Sequence, residues 1–306
     1  MSLAPSVPVP RAQFNWLPLT IGLFCLLWSF AFVAGKIGVT DCPPLILLAA
    51  RFLLAGGLIA GISALRRERF DLSLRDIAVY ALLGLANNAL YLGLGYTGLK
   101  TVSAGIGGLV VSANPVFTAA LAALLLGEAM TWRKAFGLLL GVTGVTFIVW
   151  HRLSVGTDHI EGMLFTLASL ASIVAGTILF KLLAPKGSLW IGNGIQNLAG
   201  GLALVPFAAG FADVHDIVPS ARLFGAFAFL VLGGSILAYL LWFHLLKVCG
   251  ATAASAYHFL MPPLGMLFAF LVLGEHVELR DLAGIVPVAL GIYLVTRPAA
   301  HLSQRS

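Results

Sequence analysis

Seven residues of one half of this sequence recur in the other, each displaced by the same 147 positions. Lys100, Pro115, Gly127, Glu128, Arg133, Gly137 and Gly144 are matched by Lys247, Pro262, Gly274, Glu275, Arg280, Gly284 and Gly291. The alignment needs no gap. Each copy reads as an apolar segment with a proline in its middle, then Leu-Gly-Glu, a short polar turn and a second apolar segment. A period this long marks a duplicated multi-helix unit, not a solenoid repeat. Similar composition alone would give two hairpins rich in Leu, Ala and Gly, but it would not place proline, Gly-Glu and arginine in register.

Such a unit needs a solvent, and composition names it. Hydrophobic residues make up 60% of the 306 and charged residues only 10%, against roughly 25% charged in soluble domains. The chain reads as an all-α, polytopic membrane protein. A net charge of +6 would suggest nucleic acid in a soluble chain; here it is accounted for by basic loops on the cytoplasmic side. Cys25, Cys42 and Cys249 have no metal-ligand spacing and are expected to be free thiols. Residues 1–13 are proline-rich and polar and read as a disordered cytoplasmic tail, with a second tail at 298–306. The first apolar run, Leu17–Ile37, exceeds a signal-peptide core of about 7–15 residues and reads as a retained first span.

A span takes about 20 apolar residues, and ten segments qualify. They are Leu17–Ile37, Pro44–Leu65, Asp76–Thr97, Val102–Leu126, Arg133–Trp150, Glu161–Leu182, Leu189–Phe211, Arg222–Leu246, Ala251–Gly274 and Arg280–Thr296. Residues 14–150 hold the first five and 158–297 the second five. Twelve of the eighteen lysines and arginines fall on the side of the N-terminus, five on the other, and Arg51 lies within a span. That bias predicts both termini in the cytoplasm. Because five is odd, the second repeat enters the membrane from the opposite side. The expected fold is ten transmembrane helices built as two inverted five-helix repeats. In that architecture the substrate site lies between the halves near the midplane. Lys36 and Lys181, each ending the first helix of its half, also match, 145 positions apart.

Several side chains stand out against this apolar background. On the third segment Tyr80, Gly84, Asn87, Tyr91 and Gly95 share one helical face, and on the fourth Gly105, Gly108, Ser112 and Pro115 do. Their counterparts are Ser235, Tyr239 and Trp242 on the eighth and Thr252, Ser255, Phe259 and Pro262 on the ninth. Polar groups facing lipid are costly, so these stripes face either a cavity or a neighbouring helix. Pro115 and Pro262 each remove one backbone hydrogen bond, freeing the carbonyls of Val111 and His258. The resulting bends either belong to the binding site or only shape the bundle. His258, near mid-membrane, is either a proton or substrate site or a neutral histidine bonded to another helix. Arg51, about two turns into its span, is either a functional buried cation or snorkels outward. Asn193, Gln196 and Asn197 form a polar face expected to serve packing. Glu128 and Glu275 end their helices beside Arg133 and Arg280 and are expected to pair across the turn. No Asp or Glu lies deep in a span, so coupling, where present, falls to His258 or Arg51, and gradient-driven uniport is the alternative.

The sequence has no G-x-x-x-x-G-K-[ST] loop and no G-x-S-x-G elbow. His276 has no second histidine at zinc spacing. Neither a cofactor nor a metal is expected, and an enzyme is disfavoured.

The motifs resemble the drug/metabolite transporter superfamily, in particular its EamA-type ten-helix members. Leu27-Trp28-Ser29 with Lys36, Tyr96 and Lys100, Asn114-Pro115, Leu126-Gly127-Glu128, Pro262 and Leu273-Gly274-Glu275 carry the resemblance, which covers roughly Asn15 to Thr296. The second half departs from the pattern with Ala171-Ser172 in place of Trp-Ser. Within the family the chain is most similar to bacterial amino-acid exporters of the YddG type. The resemblance implies a carrier of the bacterial inner membrane that exports small amphipathic metabolites by alternating access. Amino acids, aromatic ones first, are the expected substrates; drugs or other cations, and nucleosides or bases, are the alternatives. A membrane enzyme or a non-transporting scaffold has no need of an inverted repeat. On this reading Tyr80, Tyr91, Tyr239, Trp242, Phe259 and His258 form an aromatic wall. Asn87, Asn88, Asn114 and Ser112 bind the polar end of the substrate. The lack of buried acids argues against a dedicated cation exporter. The expected partners are a small-molecule substrate and the lipid bilayer, with no nucleic acid and no obligate protein partner.

Overall fold

The computed structural model describes residues 16–127, 130–155, 159–242, 244–245, 248, 257–275 and 279–296. Among these residues every regular element is a helix. Eight are long and apolar enough to cross a membrane: α1 Leu17–Asp41, α2 Pro44–Leu65, α3 Leu74–Leu99, α4 from Ala104 to Leu126, α5 Trp132–Val155, α6 Ile160–Leu183, α7 Leu189–Phe211 and α8 Ala221–Trp242. Two more follow. Helix α9 comprises a 3-10 turn Tyr257–Leu260, an α segment Met261–Phe268 and a π turn Ala269–Leu273, and α10 is Leu279–Thr296. Their described apolar stretches, Pro263–Leu273 and Ala283–Leu294, are shorter than a full span. The expected ninth span begins at Ala251, and its residues 251–256 lie outside the described ones.

The helices begin and end where local chemistry dictates. Prolines stand in the first turns of α1 and α2, where a missing N–H costs nothing. Ser73, Ser103, Ser188 and Ser220 cap α3, α4, α7 and α8, each hydroxyl accepting the backbone N–H three residues on. Ser73 and Ser220 are 147 positions apart, so the duplication extends to the caps of α3 and α8. Gly127 and Gly274 terminate α4 and α9 with φ of +65° and +66°, a left-handed conformation that other residues adopt only with strain.

Packing between the two halves follows the same duplication. Helix α2 lies along α7, α5 along α10, and α4 against α9. Helix α1 packs on α8 and α9, while α6 packs on α3 and α4; α2 touches α8, and α7 touches α3. Exchanging each helix for the one five places away maps these contacts onto one another. The two largest apolar cores among the described residues follow from this packing. One joins α4, α5, α6 and α10 around Ile106, Leu109, Val145, Met163 and Val288. The other joins α1, α2, α3, α7 and α8 around Leu48, Phe52, Leu99, Leu204 and Leu230.

Two matched irregularities set the positions of the polar residues. Helix α3 is π-helical over Leu85–Leu92 and α8 over Leu230–Ala238, with starts 145 positions apart. A π turn takes up an extra residue and recurs at functional sites. It splits the face expected to carry Tyr80, Gly84, Asn87, Tyr91 and Gly95 together. Tyr80 and Gly84 turn toward α7, against Gly192 and the backbone of Gln196. Asn87 and Gly95 lie on α6, against Gly176 and Ser169.

The prolines also depart from expectation. Helix α4 turns at Ala113, whose N–H bonds the Val110 carbonyl at 3.2 Å. Pro115 then sits in the first turn of Asn114–Leu126, and Pro262 in the first turn of Met261–Phe268. Both open a new segment instead of interrupting a continuous one, which spares the clash a mid-helix proline would cause.

Candidate functional site

Where α1, α2, α3 and α8 converge, they line a cavity of about 40 Å³. Its wall is aromatic on most sides. Helix α1 contributes Trp28, Ala31 and Phe32, and α3 contributes Tyr91, Leu92 and Tyr96. Helix α8 contributes Gly234, Ala238 and Tyr239, and α2 contributes one residue, Arg51. The lining from α3 and α8 lies in or just beyond their π turns. A second, smaller void of about 20 Å³ shares Phe32, Tyr91, Leu92 and Tyr96 and extends toward Thr166 and Ser169 of α6. Behind the first cavity, Trp28 and Trp242 approach with centroids 6.5 Å apart, and Phe24 stacks on Trp242 at 5.5 Å. Trp28 also meets Tyr239 at 5.5 Å.

Arg51 is the charged member of this wall. It is only 3% exposed. Its Nε donates to Ser235 Oγ and its Nη1 to Tyr96 Oη, both at 2.8 Å. The guanidinium also lies over the rings of Phe52 and Tyr96, at 5.3 and 5.8 Å, a favourable cation–π geometry. Behind it runs a chain of buried amides. Asn193 Nδ2 donates to the Ser235 carbonyl at 2.9 Å, Asn197 Nδ2 to Asn193 at 2.9 Å, and Asn88 Nδ2 to Asn197 Oδ1 at 3.4 Å. The polar face of α7 thus packs, as expected, and it also braces the serine that holds the arginine.

Two fastenings hold the helix ends around this centre. Lys36 of α1 donates to the carbonyls of Leu99 (2.5 Å) and Val102 (2.8 Å) at the end of α3. Glu275, after α9, accepts the N–H groups of Ala104 and Gly105 at the start of α4, at 2.8 and 3.1 Å. Each charge meets the helix end of opposite dipole sign. Both oxygens of Glu275 serve α4, whose first backbone donors have no partner within their own helix. Glu128 and the side chain of Arg280 lie outside the described residues.

The amino-acid sequence matches the EamA-like transporter family twice, over residues 16–150 and again over 160–297. The chain belongs to the EamA-like transporter family. It is therefore a multi-pass membrane transporter. It is 26% identical over 279 residues to an uncharacterized transporter of Archaeoglobus fulgidus, covering 91% of this chain and 98% of that one. It is 24% identical over 276 residues to the uncharacterized transporter YoaV of Bacillus subtilis, covering 89% and 93%. A solved crystal structure, 18% identical, superposes with a TM-score of 0.66 over 94% of this chain and 98% of its own, and shares the fold.

Among the residues singled out in this EamA-like sequence, the structure brings Arg51, Tyr91 and Tyr239 together at the cavity and puts Trp242 directly behind it. Tyr80 and Asn88 lie in the α3–α7 interface, and Asn87 lies against α6. Asn114 accepts the Thr118 hydroxyl at 2.8 Å within its own helix. None of these four lines the cavity. The side chains of Ser112, His258, Phe259 and Pro262 lie outside the described residues. Trp28, Phe32 and Tyr96 line the cavity without having been assigned to it. Trp28 and Tyr96 carried the family resemblance, which was the only signal available for them. Cys25 and Cys42 are free and buried, as expected; Cys249 lies outside the described residues.

Proposed function

We propose that this transporter is a secondary carrier of the bacterial inner membrane that exports amino acids, those with aromatic side chains foremost, by alternating access. The observation that carries the reading is the cavity itself, a wall of Trp28, Phe32, Tyr91, Tyr96 and Tyr239 without a carboxylate among its lining residues. Flat apolar side chains gain most against such rings, while permanent cations find no acid to meet them. The resemblance to YddG-type exporters supports the same substrate class and the outward direction.

Residues 14–150 and 158–297 act in this reading as two inverted five-helix repeats, ten spans in all, with both termini in the cytoplasm. The lysine and arginine bias supports that orientation, and the exchange symmetry of helix contacts supports the pairing of halves. Small-molecule sites run to roughly 300–1,000 Å³, whereas this cavity measures about 40 Å³. The helices must part to admit a substrate, and the segment joints at Pro115 and Pro262 are where α4 and α9 bend as they do so. Pro262→Ala is expected to lower transport more than it lowers the amount of protein in the membrane. Parental transport by a well-expressed Pro262→Ala variant would remove the proline from the mechanism.

Counterflow in proteoliposomes tests the substrate. Vesicles are loaded with unlabelled phenylalanine, tryptophan or threonine, and labelled uptake is followed with and without a pH gradient. Uptake without a gradient supports uniport; stimulation by a gradient directs attention to His258. No amino-acid uptake by well-reconstituted protein would move cations or nucleosides ahead of amino acids.

A further inference from the structure

We propose that Arg51 is the carboxylate anchor of this cavity, so that the transporter selects substrates bearing a carboxylate and rejects the corresponding amines. The inference deepens the amino-acid reading above and rests on it for the transport step, though not for binding.

A guanidinium carries five N–H donors in a fixed plane. Ser235 occupies Nε and Tyr96 occupies one position on Nη1. Nη2 has no acceptor among the described residues. It lies against Gly234, another lining residue, where a Cβ would stand 2.8 Å from it. Glycine therefore leaves the free edge of the guanidinium open to the cavity. No Asp or Glu among the described residues pairs with Arg51, yet a cation at this depth is expensive unless an anion meets it. The protein has fixed the orientation of the charge and left the counter-ion out.

A substrate carboxylate supplies that counter-ion. It takes Nη2 and the remaining Nη1 hydrogen, as carboxylates do with arginine. The phenol of Tyr96 and the hydroxyl of Ser235 hold the plane still, so binding costs little reordering. Trp28, Phe32 and Tyr239 stand on the other walls to take the apolar end.

The test uses three probes that differ only in their charged groups: phenylalanine, 3-phenylpropionate and phenethylamine. Binding is read by thermal stabilisation of the purified full chain in detergent, and transport by competition in phenylalanine counterflow. Phenylalanine and 3-phenylpropionate are expected to stabilise and compete, and phenethylamine to do neither. Arg51→Gln is expected to weaken the two carboxylates by about 10- to 100-fold, with partial recovery in Arg51→Lys. Gly234→Ala, which covers Nη2, is expected to act in the same direction with Arg51 intact. Equal binding of phenethylamine and phenylalanine to the parent protein overturns the anchor, while counterflow of phenylalanine keeps the transporter reading alive. Binding of 3-phenylpropionate that Arg51→Gln abolishes upholds the anchor even where phenylalanine counterflow fails. The parental probe comparison needs no variant, so a misfolded Arg51→Gln leaves the outcome decided.

Discussion

At each of two junctions a helix from one half ends against the start of a helix from the other, and the two are built from matched residues but fastened differently. At the first, α1 meets α8. Asp41, 2% exposed, accepts Ser220 Oγ at 2.5 Å and both Nε (2.7 Å) and Nη2 of Arg222, and its carbonyl accepts the Val218 N–H at 2.8 Å. At the second, α6 meets α3. Ser73 and Arg75 are the 147-position counterparts of Ser220 and Arg222. Here Arg75 donates to the Leu183 carbonyl at 2.8 Å, and Asp76 accepts the Lys186 N–H at 3.0 Å and Ser73 Oγ at 2.5 Å. The first junction is a two-pronged ion pair on a buried acid; at the second the buried acid, Asp76, takes a hydroxyl and a backbone amide and stands 3.6 Å from Arg75, whose hydrogen bond goes to a helix-end carbonyl. Duplication preserved the serine and the arginine, and each half found its own acceptor for the arginine. A junction that depends on one carboxylate breaks with one substitution. At the second junction the arginine divides its contacts between a backbone carbonyl and a more distant carboxylate, so no single partner holds it.

The comparison can be broken in graded steps. Asp41→Ala should have the largest effect, because it strips Arg222 and Ser220 of their acceptor together. A fall of about 4 °C in the unfolding midpoint in detergent is expected. Asp41→Asn keeps an acceptor and removes the charge, so it should lose about half as much and report how far charge outweighs geometry. Arg75→Ala should cost only about 1–2 °C, since its side chain is mostly solvated, its hydrogen bond goes to a neutral carbonyl and its ion pair with Asp76 is long, at 3.6 Å. A loss in Arg75→Ala equal to that in Asp41→Ala would erase the distinction between the junctions.

The smallest effect belongs to the loop that leads into the first junction. The His215 N–H and imidazole beside Asp213 hold its carboxyl below the usual carboxylate range. A lowered value means stability that is present above the ordinary carboxylate range and lost as the pH falls through the folded value. Midpoints of Asp213→Asn and the parent, scanned from pH 7 downward, should differ slightly at neutral pH and converge in acid.

Sequence alone placed most helices within a few residues, because an apolar run of membrane length has few other uses. Pro44–Leu65 and Leu189–Phe211 match their observed bounds. The site was less legible. Arg51 stood out, since a cation in a span is conspicuous, but its partners Tyr96 and Ser235 lie 45 and 184 positions away. No local pattern links them. Tyr80 and Asn87 were grouped with Tyr91 by a strict 3.6-residue period, which a π turn violates without leaving a mark in hydropathy. Phe32 read as an ordinary span residue because aromatic side chains are at home in lipid, and Trp28 stood out only through the family resemblance. Glu275 was legible as a helix-end residue, but not its partner, which lies 171 positions away on α4.

The paired π turns have a mechanical consequence. A helix that contains one holds a residue more than its length requires, and that residue is slack. Taking that residue up into regular α-helix would turn the part of the helix beyond it by about 100°. Tyr91 and Tyr239 lie at the moving edge of the two segments, one in each half. A transporter with one such segment in each half carries, beside its cavity, two helices whose winding would re-aim the lining without sliding either of them.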